Sequence, residues 1–347
     1  MGSGRLGEKA GASRFFYVLG AGVPALRTRV YIDGYNLYYG CLRKTPFKWL
    51  DVLALFETQI LPTILYRTTP ESDPATMVLH PDCAIKYFTA KIIESASKGE
   101  DSVSSQAHYH NALTSHCGGR LSFVMGHYSL YKANQHIVPA DDPKRWPRDC
   151  DKIQVWKLEE KQSDVNLALQ LYDDALSGEI DQVVLVTNDT DLAPALKMLE
   201  ARCPHIVRGL VIPTRKVGAG GDLEREANVS LAKLAHWVRR HITEDELRAS
   251  QLPDVVPGRR RASIKPHSWY AKPHHLATML DMARPVLRTD GEILKWARQA
   301  NAHLGGRRPI DLIETDAGAV EVFDYIDAYI RDQLDKVGDR DGLSSKS

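Results

Sequence analysis

Short β-branched runs, each closed by polar residues, alternate along this chain with segments of helical spacing. Val30-Tyr31-Ile32 runs into Asp33, and Val183-Val184-Leu185-Val186 runs into Thr187-Asn188-Asp189-Thr190-Asp191. Such runs predict buried parallel strands over residues 29–33 and 183–187. Further strands are predicted over 84–92, 121–128 and 206–212. Gly34-Tyr35-Asn36 reads as a turn into a helix carrying Leu37, Tyr38 and Tyr39. Helical spacing recurs over 46–65, with Leu50, Leu53, Leu55 and Phe56 as its apolar face, and over 106–115 and 192–201. It is clearest over 163–175, where Val165, Leu167, Ala168, Leu169, Leu171 and Tyr172 supply the expected buried side. Residues 98–105 and 141–151 read as loops. Strands alternating with helices predict an α/β fold, a three-layer and mostly parallel sheet.

Beyond residue 250 the pattern changes. Residues 251–272 hold Pro253, Pro257, Gly258 and the run Arg259-Arg260-Arg261, and read as a basic linker or a tail packed on the domain edge. Residues 276–287, 292–302, 309–314 and 317–334 carry helical spacing only, interrupted at Gly305-Gly306. The expected organisation is a flexible leader over 1–28 and an α/β domain over 29–250. The linker (251–272), a small all-α domain (273–334) and a polar tail (335–347) follow.

Composition changes this picture little. A length of 347 residues favours two domains. Lys+Arg 45 against Asp+Glu 44 gives a formal charge of +1, so a nucleic-acid site would need a local basic patch. Arg259 to Arg261, with Arg239, Arg240, Lys265 and Lys272, would either track an RNA backbone or form a solvated linker. Five cysteines without a CxxC pair suggest neither a zinc site nor a disulfide framework, and favour a reducing, cytoplasmic setting. No stretch is long and apolar enough to span a membrane. Residues 15–26 are apolar and follow Arg5, Lys9 and Arg14, but they hold Gly20, Gly22 and Pro24 and run into the first strand. They read as a leader rather than a cleaved signal. His108, His110, His116, His127 and His136 fit no compact ligand motif and read as surface or packing residues. Gly218-Ala219-Gly220-Gly221 lacks a phosphate-loop pattern and reads as a flexible loop.

The candidate chemistry lies at the strand ends. In an open α/β sheet, the carboxyl ends of the strands form the ligand crevice. Asp33, Asp189 and Asp191 follow two predicted strands, and Asp164 lies in the first turn of a predicted helix. Each alone reads equally as a helix cap or a helix-start charge. Together on one sheet edge, they would repel one another without a cation, and Mg²⁺ suits such hard oxygen ligands. Ions held this way activate water and neutralise phosphate, which is what phosphodiester cleavage needs. Asn36 is placed to orient a ligand water or bind a substrate oxygen. Lys161 is placed to meet a phosphate, and Thr187 and Asn188 to fix the loop that presents Asp189 and Asp191.

These residues match a family. Val30-Tyr31-Ile32-Asp33-Gly34-Tyr35-Asn36-Leu37-Tyr38-Tyr39, Lys161-Gln162-Ser163-Asp164-Val165-Asn166-Leu167-Ala168-Leu169 and Val186-Thr187-Asn188-Asp189-Thr190-Asp191-Leu192 resemble, in order, three motifs of the NYN domain. That domain is the LabA-like branch of the PIN-fold nucleases. The resemblance covers roughly residues 29–215. It implies a PIN/Rossmann-like sheet and a Mg²⁺- or Mn²⁺-dependent ribonuclease acting on RNA, with Asp33, Asp164, Asp189 and Asp191 as catalytic metal ligands. Asn36, Lys161 and Asn188 are the candidate substrate-binding residues. Near the other end, Lys295-Trp296 through Asn301 to Thr315, continued by Gly318 and Val322, resembles the toxin-binding domain of Xre/MbcA/ParS-like antitoxins over about residues 276–332. That resemblance implies a module binding a toxin, another protein or a second copy of the chain. No helix-turn-helix reader of DNA accompanies it.

Three readings follow. The first is a metal-dependent ribonuclease with an interaction module, in a toxin–antitoxin or defence setting. The second is a non-catalytic regulatory protein. The third is a hydroxylase of pyridine-type small molecules, because some NYN-type chains are assigned that activity, although no flavin or haem motif is visible.

Overall fold

The computed structural model describes residues 25–97, 99, 101–216 and 228–344. The leader up to residue 24 and Gly218-Ala219-Gly220-Gly221 lie outside the described residues.

The α/β class is as the pattern predicts. Strands β1 (Ala25–Asp33), β2 (Thr76–Leu79), β3 (Ile85–Ala90), β4 (Leu121–His136), β5 (Lys152–Lys161), β6 (Gln182–Val186) and β7 (Val207–Val211) join the short strand Trp237–Arg239 in one eight-stranded sheet. Its order is β5-β4-β3-β1-β6-β7-(Trp237–Arg239), with β2 alongside the first half of β1. All pairings are parallel except β4 with β5. Strands β6 and β7 are buried along their whole length, as central strands covered on both faces must be.

Period-two alternation splits β1 between two cores. Val30 and Ile32 pack with Leu37, Trp49, Leu55, Phe56 and Leu113 on one face. Tyr31 turns to the other face, where Leu167 and Leu171 of α4 (Ser163–Ser177) and Leu196 and Leu199 of α5 (Ala193–Arg202) cover the sheet. In α4 the buried stripe is Leu167, Leu171, Asp174 and Ala175. Val165 and Leu169, expected inside, are 62% and 64% exposed. The 3.6-residue period puts them on the opposite side from Leu167.

Four expectations change. Strand β1 starts at Ala25 rather than residue 29, because Ala25 to Thr28 pair with β2. The helix expected over 46–65 is split: a single turn, Pro46–Lys48, precedes a helical stretch that starts after the Asp51 cap and runs unbroken, with changing winding, through Val52–Ala54, Leu55–Ile60 and Leu61–Thr63. The helix expected over 106–115 takes in part of the expected loop and runs Ser102–Cys117. The strand expected over 121–128 continues to His136 and pairs antiparallel with β5, which the pattern did not reveal. Residues 251–272 form the packed tail of the two alternatives. Val255–Val256 pairs with Ser263–Ile264, Leu252 and Val256 join the first core, and the Trp49 indole donates to the Pro253 carbonyl at 2.8 Å.

The C-terminal region is helical throughout: α8 (Pro273–Leu287), α9 (Asp290–Ala297), α10 (Pro309–Leu312) and α11 (Asp316–Ser344). It has its own core, including Leu276, Met279, Ile293, Leu304, Ile310 and Val322. The turn between α9 and α10 uses Gly305 at φ 66° and Gly306 at φ 74°, a region that glycine enters without a Cβ penalty.

Candidate active site

Asp33 ends β1 and caps the helix Gly34–Leu37, its side chain accepting from the Asn36 amide N–H at 3.0 Å. Its other oxygen accepts from Asn36 Nδ2 at 2.5 Å and from the Thr187 hydroxyl at 2.9 Å. Thr187 in turn accepts from the Asp189 N–H at 3.1 Å, and Asp189 from the Asp191 N–H at 3.0 Å. One hydrogen-bonded chain thus ties the ends of β1 and β6 together. Burial raises the Asp33 carboxyl above the usual range, even though these donors act against it.

Helix α4 starts directly after Gln162, which turns the chain at φ 76°, and Asp164 is its second residue. Burial, then the charges of Asp33, Asp189 and Asp191, push its carboxyl up to about 6. The four acids therefore share one field. Asp33, Asn36, Lys161, Asp164 and Asp189 line one hollow of about 400 Å³, and Asp191 is not among its lining residues. Asn188 faces elsewhere, accepting from the Asn228 N–H at 2.9 Å. The Lys161 ammonium pairs with Glu159 rather than standing ready for a phosphate.

The expected Mg²⁺ or Mn²⁺ requires a set of converging oxygens. Among the described residues no three His, Cys, Asp or Glu side chains are grouped so as to hold a metal ion. Three donors already take most of the acceptor capacity of the Asp33 carboxylate. As placed, the acids do not make that cage.

A second hollow opens beside the first. It has a volume of about 600 Å³ and shares Tyr35, Tyr39, Tyr128, Leu158 and Glu160 with its neighbour. Its walls are mixed: the rings of Tyr38, Tyr87, Tyr109, His110 and Trp269 are added, along with polar and aliphatic residues such as Lys48, Asp101, Gln106 and Ile92. The tyrosines of the first motif are placed by helix geometry. Residues three and four apart share a face, so Tyr35, Tyr38 and Tyr39 point outward while Leu37 enters the core. The Tyr35 and Tyr39 ring centres are 4.3 Å apart. That spacing was visible in the sequence, but its use was not. Tyr109 donates to the Leu50 carbonyl at 2.9 Å and packs 5.7 Å from Trp269, which fixes the far wall.

Glu160 sits between the two hollows. Burial, and next the Asp164 charge, raise its carboxyl, opposed by hydrogen bonds from Ser163 and Tyr128. It lies on β5, so it was missed along with that strand.

His110 packs 4.5 Å from Phe123, and burial, then Lys91, lower its imidazole to about 4. The unfolded chain takes that proton below about pH 6.5. Between these values the unfolded state binds more protons, so this contribution to stability is complete above pH 6.5 and lost as pH falls towards 4. Replacing His110 with phenylalanine keeps a ring against Phe123 and removes the loss. From pH 7 to pH 5 the wild type is expected to lose up to about 2 kcal/mol more than the variant in urea titrations. Parallel curves would show an imidazole that titrates as it does in water.

Comparison with known proteins corrects the expected chemistry. The chain is 51% identical over 308 residues to the 6-hydroxy-3-succinoylpyridine 3-monooxygenase HspA of Pseudomonas putida, covering 89% of this chain and 96% of that protein. A relative this similar, matched over nearly its whole length and named a monooxygenase, overturns the expected ribonuclease and its phosphodiester hydrolysis. The physical reason is that acids gathered at strand ends are not specific to phosphodiester cleavage. They mark a ligand crevice, whichever reaction it serves. Residues 282–329 match the antitoxin Xre/MbcA/ParS C-terminal toxin-binding domain. A crystal structure of a protein of unknown function from Vibrio parahaemolyticus aligns over 63% of this chain and 94% of that one, at 16% identity and a TM-score of 0.31, too low to carry an argument. Among the described residues no helix is long and apolar enough to cross a membrane.

Proposed function

The chain belongs to the family of the 6-hydroxy-3-succinoylpyridine 3-monooxygenase HspA, and from that premise we propose that it hydroxylates a pyridine-type aromatic compound in the tyrosine-lined hollow. The observation that carries this reading is the hollow itself. Its volume of about 600 Å³ and the cluster of tyrosine and tryptophan rings within its mixed lining suit one substituted ring. Offset or edge-on contacts with such rings contribute roughly 0.5–1.5 kcal/mol each beyond buried area.

Oxygen insertion draws on dioxygen and on two electrons from a donor outside these side chains. What the chain supplies is position and a proton acceptor. A hydroxypyridine becomes more electron-rich on losing its hydroxyl proton, chiefly at the ortho and para ring carbons. Ring position 3, named for the relative, is para to the 6-hydroxyl and already bears the succinoyl group, so the new C3–O bond forms as the bond from C3 to the succinoyl carbonyl breaks; the released side chain leaves as an acid with two electrons supplied, and as an aldehyde with two more. Glu160 lines both hollows, and burial raises its carboxyl above the usual range, which makes it a stronger proton acceptor for such a hydroxyl. Asp164 nearby, shifted to about 6, is the next acceptor along that wall.

The resemblance of residues 29–215 to NYN chains belongs to the same reading, with the acidic strand ends as part of the reaction crevice. In the helical region, the match over 282–329 supports binding of a protein partner, of which a toxin is one kind.

The reading is tested with 6-hydroxy-3-succinoylpyridine. Binding to the purified full chain is expected to quench the fluorescence of Trp269. Cells expressing the chain, fed this compound under ¹⁸O₂, are expected to yield a ring product carrying one labelled oxygen. Absence of both quenching and label would sink the reading.

A further inference from the structure

We propose that Lys48 forms a carboxylate subsite in the wall of the aromatic hollow, selecting ring substrates that carry a free acid on their side chain. This rests on the hydroxylase reading above and adds a determinant of specificity to it.

Lys48 closes the short turn Pro46–Lys48, whose start is capped by the Thr45 hydroxyl accepting from the Phe47 N–H at 3.1 Å. Phe47 is buried in the first core, so the turn is anchored. Lys48 lines the hollow, with its ammonium 5.5 Å from the centre of the Trp269 ring. Trp269 is held in turn by Trp49 at 6.1 Å and Tyr109 at 5.7 Å. A half-buried ammonium is therefore fixed against an aromatic wall.

Among the described residues Lys48 has no ion-pair partner within 4 Å. Asp101 is the carboxylate whose charge acts on it, but that side chain already accepts from the hydroxyls of Ser105 and Ser268. Burial of the ammonium outweighs the pull of Asp101 and lowers its basicity. An ammonium in this state gains from an incoming anion more than an exposed lysine would. Of the other groups on this wall, His110 is neutral near pH 7, Glu160 is acidic, and Arg43 is exposed and lies 5.1 Å over the outward-facing Tyr39 ring. Lys48 is therefore the cation set deepest among the rings. A succinoyl substituent, which the relative's named substrate carries, ends in a carboxylate. A ring stacked among the tyrosines would present that carboxylate to Lys48.

The test compares 6-hydroxy-3-succinoylpyridine with its terminal amide, which keeps the shape and loses the charge. Binding of each is followed by calorimetry to the wild type, Lys48→Met, Lys48→Gln and Arg43→Met, with melting curves to establish folding. The wild type is expected to prefer the acid by ~10–100-fold, the range of a hydrogen bond to a charged group. Either Lys48 variant should erase that preference by weakening the acid alone, and Arg43→Met should retain it. Equal binding of acid and amide by the wild type would overturn the subsite while leaving the hydroxylase reading in place. So would a preference that survives both Lys48 substitutions, or one lost only with Arg43. If the wild type bound neither ring, the hydroxylase reading would fall and the subsite with it. The wild-type comparison needs no variant to fold.

Discussion

Asp174→Ala is expected to destabilise the protein by about 3–5 kcal/mol, the range for leaving a buried charge without its partner. Asp174 lies on the buried stripe of α4 and is 8% exposed. Its carboxylate meets Arg29 of β1 at 2.9 Å and Lys86 of β3 at 2.8 Å, and accepts from the Tyr31 hydroxyl at 2.6 Å. Burial would lower the Arg29 guanidinium, but Asp174 beside it more than restores the charge. The alanine variant leaves two cations and a hydroxyl facing an empty site. Glu179, 3.5 Å from Arg29 but 59% exposed, offers only weak replacement. Asp174→Asn keeps an acceptor for Tyr31 and should fall between the two. Urea denaturation decides the matter: a midpoint shift equivalent to less than about 1 kcal/mol for the alanine variant would mean that water already reaches this cluster.

Glu160→Gln is expected to lower hydroxylation by about 100-fold or more, the scale on which a positioned general base contributes. Glutamine keeps the shape and the contacts with Ser163 and Tyr128, but it accepts no proton. Substrate binding, read by quenching, should stay within about threefold, because the aromatic walls are untouched. The wild-type rate should rise with pH as the Glu160 carboxyl, raised by burial and by Asp164, ionises. The glutamine variant should lack that limb. A variant with wild-type turnover and an unchanged profile would remove Glu160 from the reaction.

How far the sequence could be read depended on where each residue points. Strands β6 and β7 were legible because burial on both faces leaves an unbroken apolar run. Strand β5 was not, since Trp156 and Leu158 are 66% and 44% exposed and lysines and glutamates interrupt the alternation. The helical spacing over 46–65 was legible for residues 52–63 but not for where the stretch begins, because apolar spacing does not report the cap at Asp51. Asp33, Asp164 and Asp189 do gather on one sheet edge, as their placement implied. The chemistry did not follow, because acids at strand ends are compatible with several reactions. The aromatic hollow was beyond reach for another reason. Tyr39, Tyr109, Tyr128 and Trp269 come from four separate elements, and nothing local links them. Asp174 left a clue, an acid in register with Leu167 and Leu171, that is explained only by Arg29 and Lys86 opposite.

The position of β1 also governs how the chain is born. It is the first described strand, yet β3 and β6, its neighbours in the sheet, come later. Arg27 must wait for Asp181, 154 residues further on, to close its pairing. At roughly 5–20 residues per second, translation takes roughly 8–30 s to supply that partner. Strand β3 is made first and can cover one side of Val30-Tyr31-Ile32, but the side that β6 takes stays open throughout that interval. The central strand of the folded sheet is therefore the one that waits longest for its second neighbour.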